Sequence, residues 1–406
     1  MRLIFLTNHW PHPPGETFLT SDIEALSNYV DEIIVIPLAL NFDQSSIPHP
    51  TPSNVNTDLK PVTLAAKTWK KWGKFRRATK GLSRIDIIRS ERLRKPSLPL
   101  SIIIGEVAQS LLLRDTISRN ISLSDDDVII AYWANRPATV AAFLTENHSM
   151  IKTLSYAHAG DIYASRVNQP HLPIQKWAFG RIDRILSVSD AGTNHLKAEF
   201  PEFKERIQTH RLGVVSPDQK NPRNTSETLH IFSLSSLVKV KRVQLIARAM
   251  SHIVRKIRWT HIGDGPERNN IMSYLTELPP HIEVEFLGAL PHDEVLQYMK
   301  TEPIDLMLNT SSSEGVPVSI MEAYSHGIPV IATDVGGNGE IVLKEHLISP
   351  NSNPEDIASI INEWTEAPQI REKVSTIQLE NYDSTKNAQK IHTIITEIVS
   401  DIEKAP

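Results

Sequence analysis

The chain has no cysteine. Disulfides and thiolate metal sites are therefore excluded, while the compartment stays open. No apolar run reaches the ~20 residues that a membrane-crossing helix needs. The apolar run that opens the chain, inside Met1–Thr7, is too short for a signal peptide, and no small-residue cleavage site follows it. Cytoplasmic residence is the expectation. Charge of one sign is also scarce: the net charge is -4, so bulk charge excludes nucleic acid as a partner. No internal repeat of fixed period is present. Three consecutive carboxylates, Asp125–Asp127, stand directly before an apolar run. With no further ligand cluster beside them they read as an exposed turn, and no metal is expected.

What the chain does have is length and ordinary globular chemistry. Its 406 residues are 40% hydrophobic and 22% charged, enough for two domains with full cores. Apolar runs at Arg2–Thr7, Glu32–Ile36, Val128–Tyr132, Lys152–Tyr156 and Arg184–Val188 alternate with helical stretches such as Thr17–Tyr29. That alternation implies an α/β fold with a parallel sheet. The segment Asn41–Pro61 reads as a long loop. The segment Ser216–Ser226 has no apolar residue except proline and reads as an inter-domain linker and hinge. The alternation resumes at Leu229 and runs to about Trp364. The expected division is a first domain at 1–215, a linker at 216–228, a second domain at 229–383 and a C-terminal helix at 384–406. In that helix Ile391, Ile394, Ile395, Ile398 and Ile402 share one face.

One stretch carries the chemistry. The apolar run Ile304–Asn309 leads into Ser313-Glu314-Gly315-Val316-Pro317-Val318-Ser319-Ile320-Met321-Glu322, and a further apolar run begins at Pro329. The order is strand, loop with a carboxylate, helix with a second carboxylate, strand. In a parallel unit such a loop lies at the carboxyl edge of the sheet, where ligands bind. The amides around Val318–Ile320 open a helix and suit a phosphate. The glutamates beside them suit vicinal hydroxyls. Phosphate and hydroxyl acceptors together describe a nucleotide-sugar pocket. Gly336-Gly337 is a secondary candidate for its lining.

This stretch resembles the glutamate pair of the retaining glycosyltransferases of family 4, the group 1 glycosyltransferases of bacterial polysaccharide synthesis. These have the GT-B fold of two Rossmann-like domains facing across a cleft. Further pieces resemble the same family in the same order. They are Lys241-Arg242 with the helix from Val243, the strand end Trp259–Pro266, and the turn Phe286-Leu287-Gly288-Ala289-Leu290-Pro291.

The resemblance implies sugar transfer from a nucleoside-diphosphate donor, UDP or GDP, with retention and without a metal or other cofactor. Glu322 would accept from the ribose hydroxyls and Glu314 would touch the donor sugar. The backbone of Gly315, Val316, Pro317, Val318 and Ser319 would face the phosphates, and Gly288 to Leu290 would face the base. Lys241 would meet the leaving diphosphate. The family's second cation is absent: Ser236 stands where arginine is usual, with Lys239 and Arg242 nearby to supply the charge.

On the first domain Tyr156-Ala157-His158-Ala159-Gly160-Asp161 resembles the family's donor-side histidine stretch, with an alanine inserted after His158. Asp161 has two readings, an acceptor contact or a cap of the turn that follows. Gly15-Glu16-Thr17 likewise reads as a loop facing diphosphate and acceptor, or as a plain helix start. The C-terminal helix would cross back to the first domain. The acceptor would be a saccharide or a lipid-linked saccharide. Two alternatives stand beside transfer: a nucleotide-sugar epimerase of the same fold, and an inert sugar-nucleotide-binding subunit.

One basic segment adds a partner. Residues 67–95 hold twelve Lys and Arg against Asp86 and Glu91, a local charge of +10, with Trp69, Trp72 and Phe75 interleaved. A solvated helical face is the plain reading. The aromatic rings favour an anionic membrane surface.

Overall fold

The computed structural model describes residues 1–12, 16, 18–40, 48–148, 150–163, 174–315 and 317–403, with Asn147 and 401–403 as backbone only. The chain divides into two compact units, Met1–Arg211 with Asn387–Pro406, and Leu212–Lys386.

The first unit is built on seven strands: β1 (Arg2–Thr7), β2 (Glu32–Pro37), β3 (Val55–Thr57), β4 (Asp127–Ala131), β5 (Lys152–Ala157), β6 (Arg184–Ser187) and β7 (Ile207–Thr209). They form one parallel sheet in the order β3-β2-β1-β4-β5-β6-β7. Parallel strands covered by helices on both faces read as continuous apolar runs. All five residues of β4 are buried, and so are the last five of β1. The strand order reverses between β1 and β4, which makes their carboxyl ends the switch point where ligands of open α/β sheets sit.

The second unit repeats the plan with six parallel strands: β8 (Leu229–Leu234), β9 (Ile257–Ile262), β10 (Ile282–Gly288), β11 (Leu306–Asn309), β12 (Val330–Thr333) and β13 (Leu347–Ile348). Their order is β10-β9-β8-β11-β12-β13, so the reversal falls between β8 and β11. Its core gathers Ile231, Trp259, Leu306 and Leu308 from the strands and Ile246, Ile357 and Ile361 from the helices.

The last helix, Ser384–Glu403, belongs to the first unit from Asn387 onward. Its Ile391, Ile395 and Ile398 are buried at spacings of four and three residues, each contributing about 1.5–3 kcal/mol. The Asn387 amide donates to the Arg211 carbonyl at 3.0 Å, and the Asn387 carbonyl lies 3.1 Å from His210 Nε2.

Several expectations need correction. Residues expected to form a linker are fixed to the second unit. Asn221 is buried: its Nδ2 donates to the carbonyls of Met299 and Glu302, both at 2.7 Å, and its Oδ1 accepts from Ile304 N at 3.1 Å. Asp127 is not in an exposed turn. It is buried at the start of β4, where its carboxylate takes Arg2 Nε and Nη2 at 2.8 and 2.6 Å and so ties β4 to β1. The loop expected at 41–61 contains β3 and the start of helix Lys60–Lys71.

The basic segment folds as three helices, Lys60–Lys71, Lys74–Leu82 and Ile85–Arg94. Trp69 and Trp72 turn inward onto the first unit's core, while Phe75 is 79% exposed. Part of the segment's charge is neutralised from outside it. Lys80 pairs with Asp115, Arg84 with Glu146, and Arg94 and Lys95 with Glu199.

Candidate functional site

The two loops at the second unit's switch point are tied together by an ion pair. The loop after β8 ends in a 3-10 turn, Lys239–Lys241, and Lys241 Nζ lies 2.6 Å from Glu314 Oε1 in the loop after β11. Ser311 Oγ donates to the same oxygen at 2.6 Å, and Glu314 is 7% exposed. A carboxylate with so little water contact needs partners; a third, Asn309 Nδ2 at the end of β11, lies 3.5 Å from the same oxygen.

The backbone of this loop is clamped from two sides. Arg242 donates to the carbonyls of Thr310 at 2.8 Å, Ser311 at 3.3 Å and Pro350 at 2.7 Å. Its guanidinium is therefore committed to the protein, and as a substitute for the missing second cation it is already in use. On the other side Gly337 N donates to Gly315 O at 2.7 Å. A Cβ at Gly336, whose φ is +52°, would meet Glu314 O at 2.0 Å. Only glycine permits that approach. The glycine pair thus supports the Glu314 loop from behind.

Ser236 and Lys239 are exposed, and no hydrogen bond of the Ser236 hydroxyl or Lys239 ammonium is found among the described residues. The loop after β9 closes against the loop after β8, with Leu237 N donating to Asp264 O at 3.0 Å. A Cβ on Gly263 would fall 1.9 Å from Ser235 O.

Helix Val318–Ser325 starts after Pro317, so the amides of Val318 and Ser319 are among its first. Val316 lies outside the described residues, as does Gly15. Glu322, 6% exposed, lies within this helix. Its Oε1 is 2.6 Å from His292 Nε2. His292 opens helix His292–Thr301 just after the turn Phe286–Pro291, so the pair brings the second glutamate to the turn that holds Gly288 and Leu290. Hydrogen bonding to Glu322 raises the His292 pKa above its ordinary value, against the opposing effect of burial. His292 did not stand out in the sequence. Its position after a proline that ends a glycine-containing turn was the available signal.

The first unit's candidates behave differently. Glu16 is buried, and its carboxylate accepts from the amides of Asn8 at 2.8 Å, His9 at 3.1 Å and Trp10 at 2.7 Å, and from Trp133 Nε1 at 2.8 Å. Those bonds shape the loop after β1. Asp161 is fully buried, and its two oxygens accept from His158 N and Ala134 N, both at 2.6 Å. Of its two readings the structure has the cap. Burial pushes its pKa up to about 8, against the pull of those amides.

His158 is 6% exposed and ringed by Trp133, Tyr132 and Phe18, with centroids at 4.6, 5.1 and 5.6 Å. Neither ring nitrogen has a hydrogen-bond partner among the described residues. Desolvation lowers its pKa to about 3, so the imidazole is neutral and keeps an unused acceptor.

Residues 216–378 match the model of the family described as glycosyl transferases group 1. That match covers the second unit, where the Lys241–Glu314 and His292–Glu322 pairs lie. No curated protein matches the chain. Solved structures match almost its whole length. HepE of Anabaena in complex with UDP-glucose aligns over 98% of this chain and 100% of its own, with a TM-score of 0.64 and 18% identity. The lipopolysaccharide outer core galactosyltransferase WaaB aligns over 98% and 100%, with a TM-score of 0.67 and 14% identity. The trehalose-6-phosphate synthase OtsA aligns over 100% of both chains, with a TM-score of 0.66 and 12% identity. The fold is GT-B. No helix among the described residues is long and apolar enough to cross a membrane.

Proposed function

We propose that this chain transfers a sugar from a UDP- or GDP-sugar to a hydroxyl of a saccharide acceptor, with retention at the anomeric carbon. The observation that carries this reading is the pair of buried carboxylates in the loop and helix that follow β11, each held by a basic side chain, Lys241 for Glu314 and His292 for Glu322. Supporting it are the family match over 216–378 and the GT-B neighbour bound to UDP-glucose.

In this reading Lys241 turns from Glu314 to the diphosphate, and its charge stabilises the negative charge that develops there. Glu322 accepts from the ribose hydroxyls, with the turn at Gly288–Leu290 beside it for the base. Glu314 orients the donor sugar. The bond from the anomeric carbon to the diphosphate oxygen breaks. The acceptor oxygen bonds to that carbon on the same face, and its proton passes to the departing phosphate oxygen. No separate general base is required, and the protein contributes position and charge. His158, neutral and with a free acceptor nitrogen, is proposed to accept from a sugar hydroxyl. Asp161, Glu16 and Arg242 hold the surrounding backbone.

The test is release of UDP or GDP from a panel of sugar nucleotides with and without saccharide acceptors, with the product anomer read by NMR. Inversion would remove the retaining mechanism. Failure of every UDP and GDP sugar to bind would remove the transferase reading itself.

The acceptor is further proposed to be presented at the cytoplasmic face of an anionic membrane, as in surface polysaccharide assembly. The aromatic support for this is narrower than the sequence implied, because Trp69 and Trp72 face the core. What supports it now is Phe75, Ile85 and Leu93, exposed by 79, 60 and 74%, beside Lys71, Lys74, Arg76 and Arg89. Those four have no carboxylate partner among the described residues. Co-sedimentation with anionic vesicles checks it. Binding that is insensitive to salt, or unchanged in Lys74→Glu/Arg76→Glu, would count against it.

A further inference from the structure

The first unit holds a pocket of about 910 Å³ at the carboxyl edge of its sheet, next to the reversal between β1 and β4. The volume is at the upper end of small-molecule sites. Its lining includes three cationic side chains, Lys67, Lys70 and Arg136, and no carboxylate. Lys67 and Lys70 stand three apart on helix Lys60–Lys71, so they share a face. Both are exposed, and neither has a carboxylate partner among the described residues.

Arg136 is fixed by Glu106, which accepts from its Nε at 2.9 Å and its Nη2 at 2.7 Å. Its Nη1 has no partner among the described residues. Trp69 supplies an aromatic wall, held by Arg77 stacked 4.5 Å from its ring on one side. Asn8 and Gln109 add neutral amides.

A concave site with two lysines that lack a carboxylate partner among the described residues, beside an arginine paired on one edge only, concentrates anions. Lysine meets phosphate as a point charge, and a fixed guanidinium adds directed donors. The aromatic wall and the amides suit a sugar ring and its hydroxyls. We infer that this pocket binds a saccharide carrying a phosphate group, with the phosphate at Lys67, Lys70 and Arg136 and a ring against Trp69. The inference rests on the transferase reading only in making this ligand the acceptor. The phosphate chemistry is shared by a soluble phosphosugar and by the diphosphate of a lipid-linked saccharide.

The experiment uses the full chain with saturating UDP, so that the second unit's phosphate site is filled. Calorimetry compares glucose with glucose 6-phosphate. A second arm compares phosphatidylcholine vesicles with and without a polyprenyl diphosphate sugar. At least one phosphorylated ligand is expected to bind about tenfold or more tightly over its neutral counterpart. The arm that responds names the source. In Lys67→Gln/Lys70→Gln that preference should vanish, while melting temperature and UDP affinity stay as in the native chain. The single variants should fall between. The inference is overturned if the native chain shows no preference in either arm, or if the preference survives in the double variant. UDP affinity is a separate readout. Its absence in the native chain would remove the transferase reading and leave the pocket to be judged on its own ratio.

Discussion

Both units place two buried carboxylates near the carboxyl edge of a parallel sheet, but the donors that hold them differ. In the first unit, Glu16 and Asp161 accept from backbone amides: Asn8, His9 and Trp10 for one, His158 and Ala134 for the other. In the second, Glu314 and Glu322 are held by Lys241 Nζ and His292 Nε2. A backbone amide cannot turn elsewhere, so removing its acceptor leaves a buried donor unpaired. A lysine or histidine side chain can rotate toward an arriving phosphate or hydroxyl without stranding any backbone group. The first pair therefore braces loops, while the donors of the second pair have the freedom to move that an exchange with a ligand would require. Both pairs are carboxylates near a sheet edge; the donors distinguish them.

The sharpest way to break this comparison is to truncate the cation. Lys241→Ala is expected to lower kcat for transfer by about 10²–10³-fold, the cost of losing one charge-stabilising donor. UDP-sugar binding should fall less, since the charge it meets is larger in the transition state. Turnover that survives while only binding falls would move Lys241 out of the leaving-group role.

Next in size is a brace. Glu16→Ala strands three amides and the Trp133 indole, and should cost about 3 kcal/mol of stability. In a unit of this size that is roughly 6–12 °C in melting temperature. UDP affinity should be unchanged, because the nucleotide is assigned to the other unit. A variant with native stability would show that Glu16 is not a brace.

Glu322→Ala is expected to be the converse. Stability should stay close to native, while UDP affinity drops by about 1.5–3 kcal/mol, one charge-assisted hydrogen bond. Calorimetry on the folded variant decides it.

Much of the frame was readable because physics writes it locally. Strands buried on both faces must be apolar throughout, so β1, β4 and β5 stood out as runs. The strand–loop–helix context of Glu314 and Glu322 is also contiguous in sequence. What was not readable depends on partners far along the chain. Glu16 is 117 residues from the Trp133 that it accepts from, and Glu322 is 30 from His292. Nothing local separates a carboxylate that braces a loop from one that meets a ligand. Asn221 was misread for the same reason. A polar residue among prolines suggests solvent, yet its amide satisfies the backbone of Met299, Glu302 and Ile304 in the interior. Trp69 and Trp72 share their stretch with lysines, and only the helix's rotation shows that the rings face the core. Arg242 looked like spare charge until its three carbonyl acceptors were seen.

The smallest expected effect is the pH response of His292, and it runs opposite to that of a histidine in the first unit. Burial holds His158 at about 3, so the unfolded chain binds its proton first as pH falls below the ordinary value of 6.5. Acid should therefore weaken the first unit progressively below that point. His292 runs the other way. Its pKa is raised by Glu322, so its contribution to stability is complete below the unfolded value of 6.5 and is lost as pH rises through the folded value. Protonated His292 also makes Glu322 a poorer acceptor for ribose hydroxyls, by occupying Oε1 and by its charge. UDP affinity should accordingly rise with pH above 6.5. The His292 side chain is 54% exposed, so solvent screening limits the effect to about 1 kcal/mol or less. His292→Gln should flatten this part of the profile and bind UDP at pH 6 better than the native chain does. A native profile already flat from pH 6 to 8, or one that keeps its slope in His292→Gln, would separate His292 from the nucleotide site and leave the Glu322 partner static, like those in the first unit.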